Sequence, residues 1–234
     1  MPSKKFPRHR VERTRNKHSR ALFRNGTIVI RLARGLSPLQ EREHVSDLLG
    51  RMKNQVLEEQ RKTLINPFGR LLDGGESVTV ILASGRKYRF TLRPSTTTSV
   101  RSIGPGNILV SVAPSVRRRR LHALLWKSIA SMEQHRMETL IRAINEQTFG
   151  VWCSGFRFRF ASSQWGSCSP KGVIMLNAAL LFVEPEVLRY VIIHELAHRK
   201  RSDHSARYWA WVGWAMPQFT QAREKLQSYR LPTF

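Results

Sequence analysis

The sequence predicts an α+β fold: a β-rich N-terminal region, then a domain made of a long helix, a small sheet and a helix that carries two histidines. Three observations predict it. Between residues 26 and 115, short runs of Ile, Val, Leu and Thr are separated by turns rich in Gly, Pro, Asn and Ser, the pattern of hairpins. After Arg117, Leu121, Leu124, Leu125, Ile129, Met132 and Leu140 recur at helical spacing. From Pro185 to Arg201 a second helical stretch is apolar on most of its faces, so it belongs in an interior.

Residues 1–25 are dominated by Lys and Arg, with Glu12 as their one acid. They show no apolar period and are expected to form a mobile basic arm. Residues 26–115 are expected to form an N-terminal α+β region. Gly26 to Leu32 reads as a strand. Ser37-Pro38 supplies an N-cap and a proline at the first helical position, and Val45, Leu48, Leu49, Met52 and Val56 carry a helix to about Gln60. Asn66-Pro67 and Asp73-Gly74-Gly75 mark loops. Ser77–Ala83 and Lys87–Arg93 flank a Ser-Gly-Arg turn and read as a hairpin; Thr98–Ile103 and Ile108–Ala113 read as a second. A weak echo relates Gly26–Met52 to Gly106–Met132, each a strand, a turn and an amphipathic helix. Two ordinary units meeting by coincidence is the reading favoured here.

Residues 116–234 are expected to form the second domain. Arg117–Arg120 opens its long helix and puts positive charge against the helix dipole. Such a run is read as a solvated helix end, with an anionic partner as the alternative. Gly155 to Ala161 alternates Phe with Arg, the period of a half-buried strand. Trp165-Gly166-Ser167-Cys168 is turn-rich, and Val173–Leu176 reads as a short strand. Glu184-Pro185-Glu186 starts the apolar helix, and a final helix spans Ser205 to Met216 with Tyr208, Trp209, Trp211 and Trp214.

The 234 residues carry 40 Lys and Arg against 16 Asp and Glu, a formal charge of +24. Such a chain is drawn to polyanions by counterion release, and nucleic acid is the first candidate. A soluble surface with no specific partner is the plainer reading. No run of 18 apolar residues is present, so no membrane-spanning helix is expected. The basic N-terminus lacks an apolar core and does not read as a secretory signal. Cys153 and Cys168 build no disulfide framework and fit a reducing compartment.

The chemistry lies in His194-Glu195-Leu196-Ala197-His198. Residues four apart share one helical face, so both imidazoles can reach one ion at about 2.0–2.1 Å. Glu195 points along another radial direction and is placed to take a proton from a water on that ion. Two histidines and a carboxylate in an apolar helix are costly to bury unpartnered, and a metal resolves the cost. A catalytic zinc takes three protein ligands and keeps an open position. His204 is the candidate third, since the segment Arg199–Asp203 can end the helix and turn back. A carboxylate ligand is the alternative, with only Asp203 and Glu224 available after the motif. Asp203 is read as a turn residue or a support for a histidine. Tyr208 is read as core, with a transition-state hydrogen-bond donor as the alternative.

With these residues in place, the C-terminal half resembles the YgjP-like minimal metallopeptidases, relatives of the SprT-like and Wss1-like zincins. The likeness is carried by Trp165-Gly166-Ser167-Cys168-Ser169, Ile174-Met175-Leu176-Asn177, the stretch Glu186 to His198, His204-Ser205 and Tyr208-Trp209. It runs from about Arg117 to Gln218; residues before about Ile103 resemble the family poorly. The resemblance implies a minimal zincin-like metallopeptidase domain, zinc on His194, His198 and His204, Glu195 as general base and Cys168 as a structural residue. Gln164 departs from the family, where a basic residue precedes the WGSC block. The expected function is zinc-dependent hydrolysis of protein or peptide substrates in the cytoplasm, near nucleic acid held by the basic surface. The alternative is a basic nucleic-acid-binding or ribosome-associated protein on the same scaffold, without proteolysis.

Overall fold

The computed structural model describes residues 7–24 and 26–232, which divide into two compact units, one up to Thr63 and one from Leu64 onward. The division falls at residue 63, not near 115, because the strands of residues 77–112 share their core with the long helix that follows.

The first unit holds β1 (Arg8–Arg13), β2 (Arg20–Arg24), β3 (Thr27–Leu32) and α1 (Pro38–Arg61). The sheet order is β1-β3-β2, with β1 parallel and β2 antiparallel to the central strand. The expected mobile arm is therefore corrected: residues 8–13 and 20–24 are strands, while residues 1–6 and 25 lie outside the described residues. Their apolar signal is weak because β3 supplies the buried face and the outer strands are held by backbone pairing and charge. Glu12 bridges Arg10 and Arg31 at 2.9 and 3.0 Å, and Arg13 grips Glu41 at 2.7 Å. Ser37 caps α1 in a capping box with Gln40, as the Ser-Pro start predicts. Ile28, Ile30 and Leu32 pack under Val45, Leu48, Leu49 and Met52 of α1.

After β4 (Thr63–Leu64), the second unit opens with a short α2 (Gly69–Leu72) between the loop signals Asn66-Pro67 and Asp73-Gly74-Gly75. Then come β5 (Ser77–Ile81), β6 (Lys87–Pro94), β7 (Ser99–Ser102) and β8 (Asn107–Val112), in the order β5-β6-β8-β7. Both expected hairpin regions are present, β5 antiparallel to β6 and β7 antiparallel to β8. The long helix α3 (Arg118–Gln147) follows, then β9 (Gly155–Arg159), β10 (Gly166–Cys168) and β11 (Val173–Asn177) in the order β10-β11-β9. The WGSC block is thus part of an edge strand and not only a turn. A 3-10 turn (Ala178–Phe182) leads to α4 (Pro185–Ala197), α5 (Ala206–Ala215), α6 (Phe219–Gln227) and β12 (Tyr229–Arg230). Helix α4 is the core element its composition predicts: Val187, Ile192, Ile193, Leu196 and Ala197 are wholly buried. Helix α6, polar on most of its surface, follows the helix expected to be the last.

The internal echo is a repeated unit, which corrects the coincidence reading. Strand β6 lies parallel to β8 and β7 antiparallel to it, as β1 and β2 lie to β3. Residues 80 positions apart match through strand and helix: Thr27–Leu32 and Asn107–Val112 are both strands, and Pro38 and Arg118 both open helices. Ile28, Ile30, Val45, Leu49 and Met52 fill one core, and Ile108, Val110, Leu125, Ile129 and Met132 hold the equivalent places in the other. The same strand–strand–strand–helix unit folds twice, and only the second copy continues into the histidine-bearing helix.

In the Arg117–Arg120 run, Arg118 meets Asp73 at 2.8 Å and donates to the Leu72 carbonyl at 2.7 Å. On the same helix His122 is buried, and its Nε2 accepts the Trp126 indole N–H at 2.8 Å. Burial, with a smaller contribution from Arg118, lowers its pKa to about 4. Below the usual histidine value of about 6.5 the unfolded chain takes up a proton that the folded chain refuses. Stability contributed by this residue is therefore level above pH 6.5 and falls as the pH drops toward 4. Urea titrations should show wild type losing on the order of 1–3 kcal/mol more than His122→Gln over that window. Equal losses in both proteins would contradict this account.

Candidate metal centre

Helix α4 ends at Ala197, and His198 occupies its C-cap. The chain then turns through Arg199–Asp203, with N–H groups of Arg199 to Arg201 bonded back to the carbonyls of Leu196 and Ala197. This turn returns His204 to the face that carries His194 and His198. One ligand nitrogen from each of the three rings lies within 4.8 Å of the others. His194 Nε2 and His204 Nε2 stand 3.3 Å apart. Two nitrogens at about 2.0–2.1 Å from a tetrahedral ion stand roughly 3.4 Å apart, so the spacing fits a shared metal. The ring centroids are 4.8–5.1 Å apart, so the rings converge.

The electrostatics favour neutral imidazoles, the ligand form. Burial first, then His198, His204 and Arg223, brings the pKa of His194 down to about 4. Burial also lowers that of His198. His198 Nδ1 lies 3.2 Å from the Arg201 carbonyl; donating there fixes the tautomer and leaves Nε2 with its lone pair. His194 Nδ1 is buried with no hydrogen-bond partner among the described residues, so its ring is held by packing. Imidazoles suit zinc, copper, iron and nickel, and a set of three with no carboxylate fits a catalytic zinc.

Glu195 is 5% exposed, and burial pushes its carboxyl up to about 8. A cation on the neighbouring histidines opposes that shift by favouring the carboxylate. Its wall is Gly166, the first residue of β10. A Cβ built there would lie 2.5 Å from Glu195 Oε1 and 2.8 Å from its Cγ. The strand can approach the carboxyl group only because residue 166 has no side chain, a role sequence reasoning missed although the glycine stood inside a recognised block. Gly166→Ala is expected to displace Glu195 and lower kcat about 10–100-fold with the metal content unchanged. Wild-type turnover in that variant would remove the contact from the site.

Tyr208 is fully buried and donates its hydroxyl to the His194 carbonyl at 3.0 Å, a core role that fixes the end of α4. Asp203 accepts from Ser205 at 2.7 Å and is a turn residue. Cys168 is half-buried with its thiol pKa raised by burial, which suits a structural residue. Two further side chains support the site. Asn177, wholly buried, donates to the carbonyls of Ala161 and Gln164 at 2.6 and 2.7 Å and so pins the connection into β10. Arg199 donates to the carbonyls of Trp152 and Pro170 at 3.2 and 3.3 Å, tying the end of α4 to the sheet.

Comparison with known proteins bears on this arrangement. No curated protein matches the chain significantly. The crystal structure of the metallopeptidase zymogen of Pyrococcus abyssi abylysin is similar at 26% identity, over 41% of this chain and 98% of that one, with a TM-score of 0.36. The family described as YgjP-like, metallopeptidase domain matches residues 20–229, so its reach includes β2, β3 and α1, which lie in the part expected to resemble the family poorly, and leaves out β1. With a match over most of its length, this chain belongs to the YgjP-like metallopeptidase family.

Proposed function

We propose that the protein is a zinc-dependent peptidase in which His194, His198 and His204 hold the metal and Glu195 is the general base. The observation that carries this reading is the convergence of three imidazoles beside a buried carboxyl group. A zinc ion held there supplies Lewis acidity toward a peptide carbonyl and acidifies a water molecule. Glu195 takes the proton of the attacking water and passes it to the departing amine. Burial keeps the Glu195 carboxyl out of bulk water, and Gly166 gives it room. The Arg201 carbonyl keeps the His198 ring in its ligand tautomer, and Tyr208 anchors the helix end through the His194 carbonyl.

The test is cleavage of an unstructured polypeptide by the purified chain. Activity is expected to vanish with a chelator and to return with zinc. A preparation carrying one zinc per chain that cuts no peptide in a broad library would overturn the reading. The formal charge of +24 supports a second property, salt-dependent association with nucleic acid near which the peptidase acts. Among the described residues no helix is long and apolar enough to cross a membrane. The two free cysteines fit a reducing, cytoplasmic setting.

A further inference from the structure

A cavity of about 780 Å³ lies between one face of α3 and the connection from β9 to β10. Arg119 and Lys127 border it from the helix and Arg159 from the end of β9, while Ser131, Ser162 and Ser163 add hydroxyl groups. No Asp or Glu lines it. On α3 Arg118 is matched by Asp73, and Glu133 is taken by Arg86. Among the described residues Arg119, Lys127 and Arg159 have no ion-pair partner. Gathering three cations around one concavity costs self-repulsion, which an anionic ligand relieves. The wall is preorganised, because Asn177 holds the carbonyls of Ala161 and Gln164. The volume falls in the usual range for small-ligand sites, about 300–1,000 Å³.

Its position suggests the ligand. Gln164 lines the cavity, and Gly166, two residues on, packs against Glu195. Two residues span at most about 7 Å, so the cavity edge at Gln164 lies within that distance of the strand residue that walls Glu195. The aromatic rings do not favour a nucleobase. Phe158 is buried, and Phe160 is stacked on Trp126 with centroids 4.5 Å apart, with the His122 ring set edge-on to it. We propose that the cavity bounded by Arg119, Lys127 and Arg159 is a specificity subsite that takes acidic side chains of the polypeptide substrate. This deepens the peptidase reading and rests on it.

The test uses the zinc-loaded full chain with Glu195→Gln, so that bound peptide is not consumed. The probes are a fluorescein-labelled decapeptide rich in Glu and its Gln counterpart, followed by anisotropy. The Glu peptide is expected to bind about tenfold more tightly, and Lys127→Gln with Arg159→Gln is expected to remove most of that advantage. Both side chains are exposed, so the double variant should fold, and its zinc content checks this. Equal binding of the two peptides, or a preference that survives the double variant, overturns the proposal. Tighter binding of a 20-residue oligothymidylate that the same double variant abolishes also overturns it and assigns the cavity to nucleic acid. In the chain with native Glu195, kcat/KM should show the same preference for Glu. If no peptide is cut while the charge-dependent binding is present, the acidic-chain site stands and the hydrolytic reading falls.

Discussion

Glu195→Gln is expected to lower kcat/KM for peptide cleavage by about 10²–10⁴-fold, the usual contribution of a positioned general base. The amide has nearly the same shape, and the site is tight: Glu195 is 5% exposed and its carboxyl group lies against Gly166. The substitution removes the proton acceptor without opening a cavity. Zinc content should stay at that of the wild type, because the three proposed ligands are untouched. Stability should be unchanged or slightly higher, since burial penalises the charged carboxylate and no longer does so for an amide. Retained cleavage together with retained zinc would show that another group moves the proton.

His204→Ala should produce the second large effect, loss of the metal and of all activity. A four-ligand structural zinc site has an apparent binding free energy of about 10–16 kcal/mol, so one ligand accounts for roughly 3 kcal/mol, or about 10²-fold in affinity. His204 suits the experiment because it is exposed and lies on the turn before α5, where truncation leaves the core intact. Zinc content after dialysis against a weak chelator should fall to near zero. The thermal midpoint of the metal-free protein should match that of metal-free wild type. A full zinc complement in this variant would remove His204 from the ligand set. His198→Ala should behave alike in zinc content, whereas a variant at Tyr208 should lose stability first, since its ring is wholly buried and its hydroxyl holds the His194 carbonyl.

The candidate site was largely legible in the sequence because most of its parts are local. His194, Glu195 and His198 are placed by the pitch of one helix, and His204 by a turn of five residues, so spacing alone predicts convergence. The long helix and the two hairpins were legible for the same reason, each resting on a period or on turn residues read within one window. What the sequence could not supply is set by contacts between distant segments. Strands β1 and β2 carry little apolar signal and exist by pairing with β3, so they read as a basic arm. The repeat of the sheet–helix unit looked like chance until both sheets showed the same parallel and antiparallel order. Gly166 has meaning only when an edge strand is brought against the carboxyl group of a helix some thirty residues later, and the three unpaired cations meet only when α3 lies beside the end of β9. Local spacing fixes which groups share one helix face, whereas packing decides what that face is set against, because burial and charge compensation depend on neighbours that the linear order does not contain.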